Sequence, residues 1–298
     1  VITDFFAAAM NSSIGARYSH TVLALLIMGA FAALAIAGYY LLKGKHEQFA
    51  QKTARIGAIV GCVAAVLLLV SAHSTAVGVS VEQPTKFAAM EGMYEDEVPP
   101  LYLFGWVDQE AQEVITPFAI PGGTSFLASN TWDTEYPGLN SLSETEQFGA
   151  LDPATMPVNL VFQTYHLMVA LFGVIVLVLI ATFVGLKTKK LADMKWLQRL
   201  MLISPLFPFI AIQSGWMTAE VGRQPWVVYP STTGPDGVSL LTVDAVSRSV
   251  SAPELLLTIG LFVLVYAFLF VAWVRVIGRF MKEGPVVAEP APAAKDGE

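Results

Sequence analysis

Five stretches of this chain are apolar for long enough to cross a bilayer: Thr21–Leu42, Ile56–Ala76, Val158–Leu186, Leu200–Ala219 and Leu255–Val274. None of them contains a formal charge. At about 1.5 Å rise per residue, even the shortest reaches roughly 30 Å, the thickness of a hydrocarbon core. Nothing in them alternates with period two, so a closed barrel is not indicated, and helices are what remains that satisfies its own backbone in lipid. The pattern predicts an all-α integral membrane protein with five transmembrane helices, the fourth interrupted by Pro205 and Pro208.

The polar segments divide the chain further. Residues 1–17 form a short interfacial segment and 18–76 the first two helices. Residues 77–157 make a long loop, 158–221 helices three and four, 222–253 a second loop, and 254–281 the fifth helix. The Pro/Ala-rich residues 282–298 read as a disordered tail. Lys43, Lys45, Lys52 and Arg55 follow the first span. Lys187, Lys189, Lys190, Lys195 and Arg199 follow the third, and Arg275, Arg279 and Lys282 follow the fifth. These share one side, which the positive-inside rule makes cytoplasmic. The long loop then lies on the outer face of a prokaryotic cell membrane; it is acidic, with Lys86 its sole basic residue.

Composition sharpens this picture. Hydrophobic residues make up 55% of the chain and charged residues 14%, against roughly 25% charged in a soluble domain. A net charge of −7 offers no basic stripe for nucleic acid. Cys62, the single cysteine, lies in an apolar run and reads as a buried thiol. The segment from Val1 to Phe6 lacks the basic start and small-residue cleavage site of a signal peptide. It also has no initiator Met, which suggests processing, truncation or a missing upstream portion.

Ionisable and sulfur-bearing side chains at span ends are the candidates for chemistry. His20 opens the first span, His166 and Met168 lie in the outer third of the third, and Glu220, Arg223 and Trp226 close the fourth. All sit at the outer surface. A His with a Met is the axial pair of a low-spin haem, whereas a lone carboxylate suits a high-spin iron. The plainer readings compete: a Met is usually core filling, a His at a helix start is more often a cap, and Glu220 with Arg223 is a possible surface ion pair.

Four segments carry a resemblance. They are Gly215–Glu220 followed by Gly222-Arg223-Gln224-Pro225-Trp226, Gln83–Glu91, Tyr18–Ala24 with Tyr40–Gly44, and Phe162–Val169. In order and setting they resemble the C-terminal part of subunit I of cytochrome bd-type quinol oxidases, from about Asp4 to Lys282. The resemblance implies that His20 and Met168 are axial ligands of a low-spin haem b, and that Glu220 binds the iron of one high-spin haem. It places Arg223, Trp216 and His166 beside the haems, and Lys86, Glu91 and Gln83 in a loop that oxidises quinol. Some members carry Arg where this chain has His166, and the loop is of the compact type.

It further implies electron flow from membrane quinol through haem b to a site that reduces O2 to water, coupled to proton-motive force. The high-spin haem b and haem d would be shared with an N-terminal half that Val1–Arg17 does not match. The expected partners are that half on a second chain, oxidase subunit II and a small single-span subunit, with no nucleic acid. This chain alone is not expected to be active. Two competing readings are a transporter or scaffold, and a cytochrome b module that passes electrons elsewhere than to oxygen.

Overall fold

The computed structural model of the protein describes residues 5–6, 10, 14–232 and 238–285, so the expected tail beyond Pro285 and most of residues 1–13 lie outside the described residues. In chain order the elements are α1 (Ile14–Lys43), α2 (Glu47–Glu82), α3 (Pro84–Glu91), β1 (Leu101–Asp108), β2 (Glu113–Ile120), α4 (Gly123–Ser129), α5 (Leu139–Ser143), α6 (Val158–Lys187), α7 (Lys195–Ile203), α8 (Leu206–Val221), β3 (Trp226–Val228), β4 (Leu240–Leu241) and α9 (Ala252–Glu283).

Five spans are long and apolar enough to cross a membrane: α1, α2, α6, the α7–α8 pair and α9. Each contains one of the expected stretches. The helices outrun those stretches because backbone hydrogen bonding continues into the polar turns where hydropathy has faded. The fourth span breaks at Ser204-Pro205, where Pro205 has no N–H to donate and the Ser204 hydroxyl donates to the Met201 carbonyl at 2.8 Å.

Two cores hold the molecule together. The first lies between the spans, where Phe31 and Leu34 of α1 meet Ala54 and Leu68 of α2, Leu179 of α6, and Leu197 and Met201 of α7. Small residues let backbones close in: a Cβ at Gly38 would lie 2.7 Å from the Gln198 carbonyl oxygen. The buried Gln198 side chain donates to the Leu191 and Ala192 carbonyls, at 2.7 Å each, and so fastens the turn before α7.

The second core gathers at the opposite end from the Lys-rich turns. Phe87, Met93, Val107, Leu139, Phe148, Phe162 and Trp226 pack there, drawn from both loops and from α6. The long loop is thus a folded unit. It includes an antiparallel hairpin of β1 and β2, while β3 and β4 pair beside it. These two hairpins add to the all-α expectation. The first was hidden because Leu101–Val107 is apolar on both faces and shows no alternation.

The fifth span stands apart. No residue of α9 is buried, and the Tyr40 hydroxyl donates to its Met281 carbonyl at 3.1 Å near the Lys-rich end.

Candidate functional site

The site begins at a bend. Gln83 (φ −141°, ψ 63°) ends α2, its N–H still reaching the Val79 carbonyl at 2.9 Å, and Pro84 opens α3 with the fixed φ that suits a first helical position. The bend turns α3 into the second core, where every residue from Thr85 to Glu91 is buried. Five residues of helix rotate about 140°, so Lys86 and Glu91 point to different neighbours.

Lys86 faces the end of α8. Its aliphatic stem passes Gly222, where an added Cβ would sit 2.9 Å from Lys86 Cγ and 2.7 Å from the Thr218 carbonyl oxygen. Burial pushes the Lys86 ammonium down to about 8, helped by the positive charges of Arg17 and Arg223 and opposed by Glu220. Arg223 donates to Glu220 Oε2 at 2.5 Å, while Arg223 Nε is buried without a partner. The start of α1, the middle of α3 and the end of α8 thereby converge on one charged cluster.

Glu91 faces the other way, between α4 and α6, and is 1% exposed. Tyr165 of α6 hydrogen-bonds to it, and Thr124 Oγ1 of α4 lies 3.1 Å from Glu91 Oε2 and 3.0 Å from the Pro100 carbonyl oxygen. One threonine proton cannot serve both acceptors. A protonated Glu91 resolves the shortage by donating to Thr124, which then donates to Pro100. In agreement, burial pushes the Glu91 carboxyl up to about 8; the Thr124 and Tyr165 hydrogen bonds oppose the rise and the nearby Glu97 charge adds to it. Burial and the charges of Glu97 and Glu91 raise the Tyr102 phenol to about 12.

His166 adjoins this cluster. Its ring stacks on Phe162 at 3.9 Å and meets Tyr165 edge-on at 5.1 Å, with Nδ1 2.8 Å from the Phe162 carbonyl oxygen. Thr164 and Thr218 hydroxyls, 2.8 Å apart, tie α6 to α8. Beside them Met168 lies over Gly215, where an added Cβ would come within 2.7 Å of the sulfur. His20 stands on α1 with Nδ1 buried and without a hydrogen bond. α1 packs along α2 and α7, and α6 along α8.

The structure therefore brings Lys86, Glu220 and Arg223 together and sets Glu91 apart with His166. Gln83 is buried at the bend with its side-chain oxygen unpaired, Trp216 is 65% exposed, and His73 is exposed on α2. Trp226 belongs to the second core, against Phe148 at 5.9 Å and Tyr229 at 5.4 Å. The acidic run serves structure: Glu95 accepts from Asn140 at 2.7 Å, Asp96 holds the Gly138 amide at 2.8 Å and the Ser141 hydroxyl, and Glu97 pairs through its backbone with Tyr136. Sequence reasoning missed Tyr165, Thr124, Tyr102 and Arg17. Tyr165 alone had a signal, standing next to His166 in a segment already singled out.

Fold and site together define a multi-span helical membrane protein that, among the described residues, collects its buried ionisable groups at one end of the bundle. The sequence matches the cytochrome bd terminal oxidase subunit I family over residues 1–285, and the chain belongs to that family. It is 30% identical over 289 residues to cytochrome bd ubiquinol oxidase subunit 1 of Bacillus subtilis (strain 168), covering 95% of this chain and 59% of that protein. It is 25% identical over 343 residues to cytochrome bd-II ubiquinol oxidase subunit 1 of Escherichia coli (strain K12), covering 95% of this chain and 65% of that protein. The structure of bd oxidase from Geobacillus thermodenitrificans superposes with a TM-score of 0.75 at 25% identity, covering 96% of this chain and 62% of that one. The chain thus spans about three fifths of the length of the curated relatives it matches.

Proposed function

We propose that the chain is the quinol-oxidising, haem-holding part of a terminal oxidase, with its loop unit on the outer face of a prokaryotic cell membrane. The observation that carries this reading is the buried Glu91 with its Tyr165 and Thr124 partners, a helix turn from the buried Lys86. Oxidising a quinol releases two protons with two electrons, and a carboxyl pushed up to about 8 is a strong base whenever it is ionised. Lys86, mostly protonated at neutral pH, orients a ring oxygen by donating to it. Tyr165 and Thr124 position the Glu91 carboxyl. The folded loop unit keeps water from it, so a proton leaves by way of the polar groups that surround it.

The donor set fits haem. His20 offers an imidazole with a buried, unpartnered nitrogen, and Met168 a thioether over the bare backbone of Gly215. These two residues would hold a low-spin haem b, and Glu220, with Arg223 beside it for propionates, would hold the iron of a high-spin haem. Bound haem supplies one-electron carriers that pass electrons from quinol toward oxygen. Trp216, exposed in this chain, would lie against that haem group. Further membrane helices and oxidase subunit II complete the high-spin haem b and haem d site that reduces O2 to water and generates proton-motive force.

Reduced-minus-oxidised spectra of the assembled complex test the reading. His20→Ala and Met168→Ala are each expected to abolish the low-spin haem band while the protein still inserts, and an unchanged band in both overturns the assignment. Lys86→Ala and Glu91→Ala are expected to keep all haem bands and lose quinol turnover. Normal turnover in both would make the loop purely structural.

A further inference from the structure

The β1–β2 hairpin carries an apolar face that nothing among the described residues covers. Val107 and Val114 turn inward onto Gly92 and Phe162. Phe104 pairs across the strands with Phe118, and Trp106 with Ile115, and all four of these side chains are more than half exposed. On a water-facing loop this is an unusual surface.

Its depth is fixed by α6. The Val107 amide donates to Asn159 Oδ1 at 3.1 Å, and Gln163 Nε2 donates to the Gly105 carbonyl at 2.6 Å. Tyr102 lies against Phe162, with ring centres 6.0 Å apart. Strand β1 therefore descends along the first two turns of α6, with Leu101 and its partner Ile120 deepest. Counted from Lys187, the first charge at the far end of α6, a 30 Å hydrocarbon core takes about twenty residues and ends near Leu167. The turns beside β1, Asn159 to Gln163, fall just beyond that boundary, in the headgroup layer.

We infer that the β1–β2 hairpin lies in the headgroup layer of the leaflet at the loop end, with its Phe104, Trp106, Ile115 and Phe118 face against lipid and its turn in water. Charge is graded along it in the same sense. Asp108, Glu110 and Glu113 crowd the turn, and no charge occurs in Leu101–Val107 or Val114–Ile120. On α6, Leu160 and Leu167, seven residues apart and so on one face of that helix, are exposed as well. Aromatic side chains are enriched at this level because their rings tolerate the change from headgroup to acyl chain.

Cys62 is the single cysteine, so a Cys62→Ser background allows one spin label at a time. Labels at Phe118→Cys and Glu110→Cys are compared in the assembled complex, in nanodiscs of phosphatidylethanolamine and phosphatidylglycerol. Dissolved oxygen reports contact with lipid, and a water-soluble nickel chelate reports contact with water. The expected ratio of oxygen to nickel collisions is several-fold higher at 118 than at 110. Phe104→Cys on the neighbouring strand gives the same reading should the 118 variant fail to assemble. Nickel access at 118 and 104 equal to that at 110 would place the hairpin in water. Protection of 118 and 104 from both agents would mean that a protein partner covers the face, and either result overturns the inference.

Discussion

Two buried groups on α3, Glu91 and Lys86, titrate in opposition. The Glu91 carboxyl is pushed from 4.5 to about 8, so between those values the fold keeps a proton that the unfolded chain has released, and stability falls as pH rises. The Lys86 ammonium is pushed from 10.5 down to about 8, so above 8 the unfolded chain keeps the proton and stability rises with pH. The loop unit is therefore expected to be least stable near pH 8, read as the fastest hydrogen exchange of the β1–β2 amides after correction for intrinsic rate. Glu91→Gln removes the decline below pH 8 and leaves the recovery above it. Under the proposed function, turnover depends on pH in the converse way. It climbs toward pH 8 as Glu91 ionises and drops beyond it as Lys86 loses its charge, and Glu91→Gln lowers it by about 100-fold. Tyr165→Phe deletes a hydrogen bond that favours the ionised carboxyl, so its rising limb should move to higher pH with the haem spectrum unchanged. A pH–rate profile of the two proteins side by side decides this.

Among the elements, the crossing of α1 over α7 has little room. Gly38→Val forces its side chain against the Gln198 carbonyl and the Met201 Cβ, at a cost of about 1–3 kcal/mol. The expected sign is a lower thermal midpoint in detergent with unaltered loop-unit exchange, because the two cores are separate. All five spans were legible in the sequence, since an uninterrupted apolar run of this length has few other uses. Their ends were not: Val77 to Glu82 reads as loop, yet the helix continues through it to Gln83. The hairpin was illegible for a different reason, having one face for protein and one left bare, both apolar. Of the site, Lys86, Glu91, His166, Glu220 and Arg223 were singled out because the resembling segments contain them. The pairing of Glu91 with Tyr165 joins positions 74 apart and depends on a tertiary contact that no local pattern encodes.

On the scale of the whole molecule, the chain is two cores strung on long helices with much apolar surface left open. The fifth span contributes nothing buried, so its packing partners must be lipid or other membrane helices. Native mass spectrometry from mild detergent is expected to find the chain bound to additional membrane polypeptide, and oxygen consumption only in that bound fraction. Trp226 ties the two loops into one unit, and Trp226→Ala should cost about 3–5 kcal/mol there. Limited proteolysis is then expected to cut between Tyr94 and Ser129 faster than in the native protein. Trp226 also imposes an order of manufacture. A ribosome adds roughly 5–20 residues per second. The segment bearing Lys86 and Glu91 therefore leaves it, crosses to its side of the membrane and waits several seconds for two more spans and their tryptophan. Until α6 brings Tyr165 to Glu91 and α8 brings its end to Lys86, the acid and the ammonium stand in water as ordinary, fully charged side chains. The interior of the loop unit is sealed only after the fourth span has been made.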